Sequence, residues 1–155
     1  MNLAIIPARS GSTRLKNKNI LNFKGKPMIA WTIEAAIRSN IFDYIFVSTD
    51  KKKIASIATK FGAKVPFLRE KKLSNSYASI HDVTYDAIIK LENKLNLNFT
   101  NIFQLMPNCP FRNHKDIVNF YKFFIKSKTK YLVSCSKFHY ASDFVYQTLL
   151  LNLPR

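Results

Sequence analysis

Short apolar runs alternating with amphipathic segments constrain the fold of this chain more than any other feature. Leu3–Pro7, Tyr44–Ser48, Lys64–Leu68, Asn101–Met106 and Tyr131–Ser136 have the length and composition of strands. Between them, Met28–Ser39 places Ile29, Ile33, Ala36 and Ile37 at helical spacing, and Ser79–Leu95 does the same with Val83, Ala87, Ile88 and Leu91. Lys51–Phe61 and Asn113–Ser127 complete the set of helices. Pro27 suits the first position of its helix, Asp50 reads as the N-cap of Lys51–Phe61, and Gly62 as that helix's stop. Strands and helices in this alternation predict an α/β domain with a mostly parallel sheet. The segment after Ser136 reads as less regular. Without repeats, low-complexity stretches or linkers, residues 1–155 are expected to form a single domain, with an irregular tail from about residue 137.

Composition narrows the class further. A chain of 155 residues that is 47% hydrophobic can bury a core without metal or disulfide staples, and it is not disordered. No apolar run reaches the roughly 18 residues of a membrane span. The N-terminus lacks a basic region ahead of its apolar run, so no signal peptide is expected. Cys109 and Cys135 form no Cys-x-x-Cys and the histidines do not cluster, which argues against zinc or a disulfide framework and for a reducing, cytoplasmic setting. Twenty-five Lys and Arg against nine Asp and Glu give a net charge of +16. Nucleic acid, a membrane surface and nucleotide phosphates are all partners that such a charge attracts, and a merely solvated Lys-rich surface is the plain alternative.

Sheets of this kind bind ligands at the carboxyl ends of their strands. The loop leaving the first strand, from Ala8 to about Lys26, carries Arg9, Arg14, Lys16, Lys18, Lys24 and Lys26 and no acid; the first carboxylate of the chain is Glu34. Gly11, between Ser10 and Ser12, is expected to let backbone N–H groups turn toward an anion. The chain has neither Gly-x-Gly-x-x-Gly nor Gly-x-x-x-x-Gly-Lys-Ser/Thr, which excludes a dinucleotide fingerprint and a P-loop. With three glycines in all, phosphates must be held mainly by side chains.

Ile5-Ile6-Pro7-Ala8-Arg9-Ser10-Gly11-Ser12, Lys16-Asn17-Lys18-Asn19-Ile20 and Gly25-Lys26-Pro27-Met28-Ile29 resemble the acylneuraminate cytidylyltransferases. Val47-Ser48-Thr49-Asp50 and the stretch from Phe61-Gly62-Ala63 through Val65-Pro66-Phe67-Leu68-Arg69 continue the resemblance and lean toward the pseudaminic-acid branch. It covers nearly all of this chain but only the N-terminal part of a family member. It implies a C-terminally truncated form of a three-layer, Rossmann-like nucleotide-diphospho-sugar transferase fold. It also implies transfer of CMP from CTP to the anomeric hydroxyl of a nine-carbon keto-sugar acid, with release of pyrophosphate and a requirement for Mg²⁺. By the same resemblance, Arg9, Lys18 and Asn19 hold the triphosphate, Arg9 and Lys18 being the catalytic cations. Ser10, Gly11, Ser12 and Arg14 complete the loop, and Arg69 lies near the cytidine.

The chain departs from the family in several places. Arg14 stands where a lysine is usual nearby, in a Ser12-Thr13-Arg14 setting like that of the related ketodeoxyoctulosonate cytidylyltransferases. Arg69-Glu70 replaces Arg-Pro, and Leu73-Ser74-Asn75-Ser76 replaces an acidic segment. In Leu105-Met106-Pro107-Asn108-Cys109-Pro110-Phe111-Arg112, the family's sugar-contacting glutamine is Met106. Gln104, on the same strand face, is the expected substitute, with Arg112 as a further substrate contact. The family's metal-binding aspartates and its dimer-forming excursion fall beyond position 155, so no metal ligands are assigned, and monomer and homodimer are both open. A catalytically incomplete nucleotide- or polyanion-binding domain and a basic nucleic-acid-binding module are the alternative functions.

Other residues have bland readings. Asp82 and Asp86, four apart on a helix, read as solvated acids rather than cation ligands. His81, His114 and His139 have no partner pattern, and Cys109 reads as structural. Lys51-Lys52-Lys53 opposes its helix dipole and reads as a solvated surface. Tyr121, Phe123 and Phe124, interleaved with lysines, read as core rather than an RNA-stacking surface.

Overall fold

The computed structural model describes residues 1–12, 15–75, 77–137 and 144–152, those beyond 135 by their backbone alone. Strand β1 (Asn2–Pro7) leads into a 3-10 turn (Lys18–Ile20) and a small hairpin of β2 (Asn22–Phe23) and β3 (Lys26–Pro27). Helix α1 (Met28–Ser39), β4 (Tyr44–Ser48), α2 (Lys52–Lys60) and α3 (Ile80–Leu95) follow, then β5 (Asn101–Leu105), α4 (His114–Ser127), β6 (Tyr131–Lys137) and β7 (Phe144–Asn152). The main sheet has the order β4-β1-β5-β7-β6. β1 runs parallel to β4 and to β5, while β7 is antiparallel to both β5 and β6. β7 is thus the one reversed strand of a mostly parallel sheet.

The period of two along the strands sorts side chains onto two cores. Ala4, Ile6, Val47, Phe103 and Leu105 pack under α1, α2 and α4 through Ile29, Ile33, Ile54, Ala58, Ile117 and Phe124. Leu3, Ile5, Phe46 and Ile102 face the other way, onto Ala87, Ile88 and Leu91 of α3. The result is a three-layer α/β arrangement, in which each fully buried Ile or Leu contributes about 1.5–3 kcal/mol.

The helix ends follow local chemistry. The Ser79 hydroxyl accepts the Asp82 N–H at 3.1 Å, and Asn113 and Asp116 form a capping box on α4. Gly62 ends α2 at φ 97°, where its missing Cβ avoids Ile37 Cδ1.

Three expectations need correcting here. Lys64–Leu68 is not a strand. It makes a single bridge, Lys64 to Phe46, before Pro66, which has no N–H to continue a ladder, and Phe67 packs its ring 5.2 Å from that of Phe46. The tail contains β7, whose aromatic and leucine-rich sequence pairs with β5 and β6. Of the aromatic run on α4, Phe124 is buried and Tyr121 packs against the core, but Phe123 is 60% exposed.

Candidate functional site

The chain goes from β1 to β4 on one side of β1 and later crosses to β5 on the other. The carboxyl ends of β1 and β5 therefore flank the sheet's switch point, the place where parallel sheets open a crevice. A cleft of about 300 Å³ lies there. Arg9, Ser12, Lys18, Asn19, Arg69 and Asn75 supply its polar lining; Leu73, Ala78, Ile80, Val83, Met106 and Pro107 supply an apolar wall. Pro7 and Asn108 also line it, and among the described residues no carboxylate does. Among the described residues, neither Arg9 nor Lys18 forms an ion pair.

The first loop is tied down at several points. The Ala8 N–H donates to the Ser48 carbonyl at 2.8 Å. Ser10 gives its N–H and its hydroxyl to the two oxygens of Asp50, at 2.8 and 2.6 Å. Arg9 projects between these anchors and donates through Nη1 to the Asn75 carbonyl at 2.7 Å, bridging from the first loop to the segment ahead of α3. Asn75 shapes that segment by accepting the N–H groups of Tyr77 and Ala78. Asn19 is buried and donates to the Arg9 carbonyl at 3.1 Å, and its Oδ1 is buried without a hydrogen-bond partner. Lys18 reaches the cleft from the adjacent 3-10 turn.

Arg69 is 8% exposed. Its Nε donates to the Ser48 hydroxyl at 3.0 Å, its Nη2 to the Ser48 carbonyl at 2.5 Å, and its Nη1 to the Leu73 carbonyl at 3.4 Å. Burial pushes the guanidinium below its ordinary pKa and nearby Arg9 pushes the same way, while Asp50 opposes both. The cleft thus presents a fixed cation in its wall beside two that are less constrained.

Several sequence-based assignments change in three dimensions. Asp50 does not cap α2, whose N-cap position is Lys51, without a side-chain cap; the Asp50 carboxylate is taken by Ser10 instead. Ser10 consequently faces Asp50 and is absent from the cleft lining. Gly11 does not use a left-handed conformation, which occurs at Gly25 and Gly62; a Cβ on it would stand 4.0 Å from the Ser74 carbonyl oxygen. Gln104 lies off the cleft because the Thr84 hydroxyl donates to its Oε1 at 2.8 Å, holding the amide against α3. Met106, of the same parity, does line the cleft. Arg112 sits behind it, donating to the Met106 carbonyl at 3.0 Å and to Thr32 Oγ1 at 3.2 Å, so it supports the cleft wall from outside. Burial lowers its pKa, with Cys109 and Asp116 opposing. Arg14, His139 and Asp143 lie outside the described residues. Asn75 and Asn108 line the cleft from two segments that the sequence marked only as departures from the family, with no role assigned to either residue.

The described residues do not build a metal centre. They contain no group of three His, Cys, Asp or Glu, and Asp50 is engaged by Ser10. Asp86 is paired with Lys90 at 2.7 Å rather than with Asp82. Cys109 and Cys135 are free thiols. Among the described residues, no helix is long and apolar enough to cross a membrane.

Comparison with known proteins agrees with this architecture. The chain is 42% identical over 139 residues to a pseudaminic acid cytidylyltransferase of Campylobacter jejuni, covering 90% of this chain and 60% of that protein. It is 41% identical over 115 residues to a CMP-N,N'-diacetyllegionaminic acid synthase of Legionella pneumophila, covering 74% of this chain and 49% of the relative. The chain therefore spans about half to 60% of the length of these curated relatives. A cytidylyltransferase structure from Leptospira borgpetersenii matches with a TM-score of 0.71 at 22% identity, covering 97% of this chain and 60% of that one, a likeness of fold. A cytidylyltransferase family model matches residues 3–145, and on that match the chain belongs to the cytidylyltransferase family.

Proposed function

We propose that the cleft binds CTP and that the chain contributes to transfer of CMP to the anomeric hydroxyl of a nonulosonic acid of the sialic, pseudaminic or legionaminic type. The observation that carries this reading is the cleft at the ends of β1 and β5, lined by Arg9, Lys18 and Arg69 and, among the described residues, by no acid. The named relatives, a pseudaminic acid cytidylyltransferase and a CMP-N,N'-diacetyllegionaminic acid synthase, supply the substrate class. CTP and free thiols both suit a cytoplasmic protein.

The acceptor hydroxyl oxygen bonds to the α-phosphorus, the bond from that phosphorus to the bridging oxygen breaks, and pyrophosphate leaves with the electron pair. The hydroxyl proton passes to solvent. Negative charge grows on the departing phosphates, and cations already in place stabilise it without reorganising. Arg9 exchanges the Asn75 carbonyl for a phosphate oxygen, Lys18 adds a point charge, and Arg69 holds the wall. Mg²⁺, which the family resemblance implies, would enter with the nucleotide as Mg·CTP and would neutralise and orient its phosphates. The apolar wall of Ile80, Val83 and Met106 excludes water beside these charges.

The test is thermal-shift titration of the full chain with CTP, ATP, GTP and UTP at low and moderate salt, followed by pyrophosphate release with Mg²⁺ and a panel of nonulosonic acids. A CTP-selective shift that survives salt supports the site, and acceptor-dependent pyrophosphate supports the transfer. Equal shifts for all nucleotides that vanish with salt leave only diffuse attraction to the +16 charge and sink the reading.

A further inference from the structure

We propose that Asp50 is the positioning residue of the cleft: it fixes Arg9 for a polyphosphate through Ser10 and offsets the charges of Arg9 and Arg69 from outside the cleft lining. This deepens the reading of the cleft as a triphosphate site and rests on it.

The carboxyl end of β4, Ser48-Thr49-Asp50, carries both arginines. On one side, Ala8 is bonded to the Ser48 carbonyl and Ser10 to the Asp50 carboxylate, so the residues flanking Arg9 are each anchored to the same three-residue platform. On the other side, Arg69 is held by the Ser48 hydroxyl and carbonyl, and its N–H donates to the Thr49 carbonyl at 2.7 Å. Asp50 is the acid of this platform. It uses one oxygen for the Ser10 N–H and the other for the Ser10 hydroxyl, a two-point attachment that sets the orientation of the backbone carrying Arg9. Nothing local claims the carboxylate, because α2 begins at Lys52 without a side-chain cap.

The placement resolves an electrostatic conflict. Arg69, whose protonation is disfavoured by burial and by the charge of nearby Arg9, gains from a counter-charge, yet a carboxylate inside the cleft would repel phosphate. Asp50 is absent from the cleft lining and acts on Arg69 from behind. Its charge therefore holds the cations together while leaving their donors for an incoming anion.

The experiment compares wild type with Asp50→Ala, Asp50→Asn and Ser10→Ala by calorimetric titration of the full chain with inorganic tripolyphosphate, CTP and CMP. Loss of a two-point, charge-assisted attachment is expected to weaken tripolyphosphate and CTP about tenfold in Asp50→Ala, with CMP changed by no more than about twofold. Asp50→Asn, which can still accept the Ser10 N–H, falls between wild type and alanine; Ser10→Ala shifts in the same direction by less. Should Asp50→Ala not fold, Ser10→Ala and Asp50→Asn carry the comparison. Unchanged tripolyphosphate affinity in the folded variants overturns the proposal, as does an equal loss for CMP and CTP, which would mean general loosening of the cleft. Wild type that binds tripolyphosphate without preferring CTP, with variants that lose it, refutes the nucleotide reading and leaves the role of Asp50 standing.

Discussion

Replacing Arg69 by alanine separates a structural post from a ligand-only residue, because the side chain is buried and already makes three hydrogen bonds within the protein. It makes two short hydrogen bonds to Ser48, at 3.0 and 2.5 Å, and a longer one to the Leu73 carbonyl at 3.4 Å. Charge-assisted bonds contribute about 1.5–3 kcal/mol each, so the two short ones amount to roughly 3–6 kcal/mol gross. Two effects offset this. The guanidinium no longer bears its own desolvation cost, and the Ser48 carbonyl keeps the Ala8 N–H at 2.8 Å as a partner. A net loss of about 2–3 kcal/mol follows, and for a domain of this size that lowers the melting temperature by roughly 5–10 °C. Arg69→Lys preserves a charge but not the fork, and recovers about half of the loss. Fluorescence of Trp31, the sole tryptophan, reports the melt. If Arg69→Ala melts within about 2 °C of wild type, the Ser48 bonds do not support the β4 edge and the energetic argument is wrong.

Two further perturbations test other parts of the fold. Gly62→Ala forces a Cβ onto a residue at φ 97° and to 2.8 Å from Ile37 Cδ1; it is expected to cost about 1–2 kcal/mol in urea unfolding, and an unchanged midpoint refutes the left-handed stop of α2. Glu70, hydrogen-bonded by Lys90 and Lys72, has its carboxyl pKa pulled down from 4.5 to about 2. A depressed folded pKa gives stability that is present above the unfolded value and is lost as pH falls through 4.5 toward about 2. Because the pair is on the surface, the contribution is small and salt-screened. Glu70→Gln should flatten the pH dependence of the urea midpoint in that window at low salt, and identical profiles for the two proteins would refute the assignment.

The parallel half of the sheet was legible because β1, β4 and β5 are buried on both faces and so read as apolar runs. Asp50, by contrast, was misread. An acid directly before a lysine-led helix has the local look of a cap, but its partner is Ser10, 40 positions away, and no local rule carries that information. Lys64–Leu68 has strand composition without room for a ladder past Pro66. The strand Phe144–Asn152 carried a signal in its aromatic and leucine content, yet its place between β5 and β6 is set by pairing with both neighbours. The charge asymmetry of the first loop pointed to the edge of the sheet where the cleft lies. Which residues face the cavity depends on hydrogen bonds that turn Gln104 toward Thr84 and Arg112 toward Met106.

The position of β7 also orders events during synthesis. β4, β1 and β5 are complete once Leu105 has been made, but the outer edge of β5 has no partner until Phe144–Asn152 follows. β6, though translated earlier, touches the sheet only through β7, so the two must arrive as a hairpin, antiparallel along Tyr131–Lys137. Until β7 docks, the outer hydrogen-bonding edge of β5 is bare, and Ile102, Phe103 and Leu105, fully buried in the finished fold, sit on that strand.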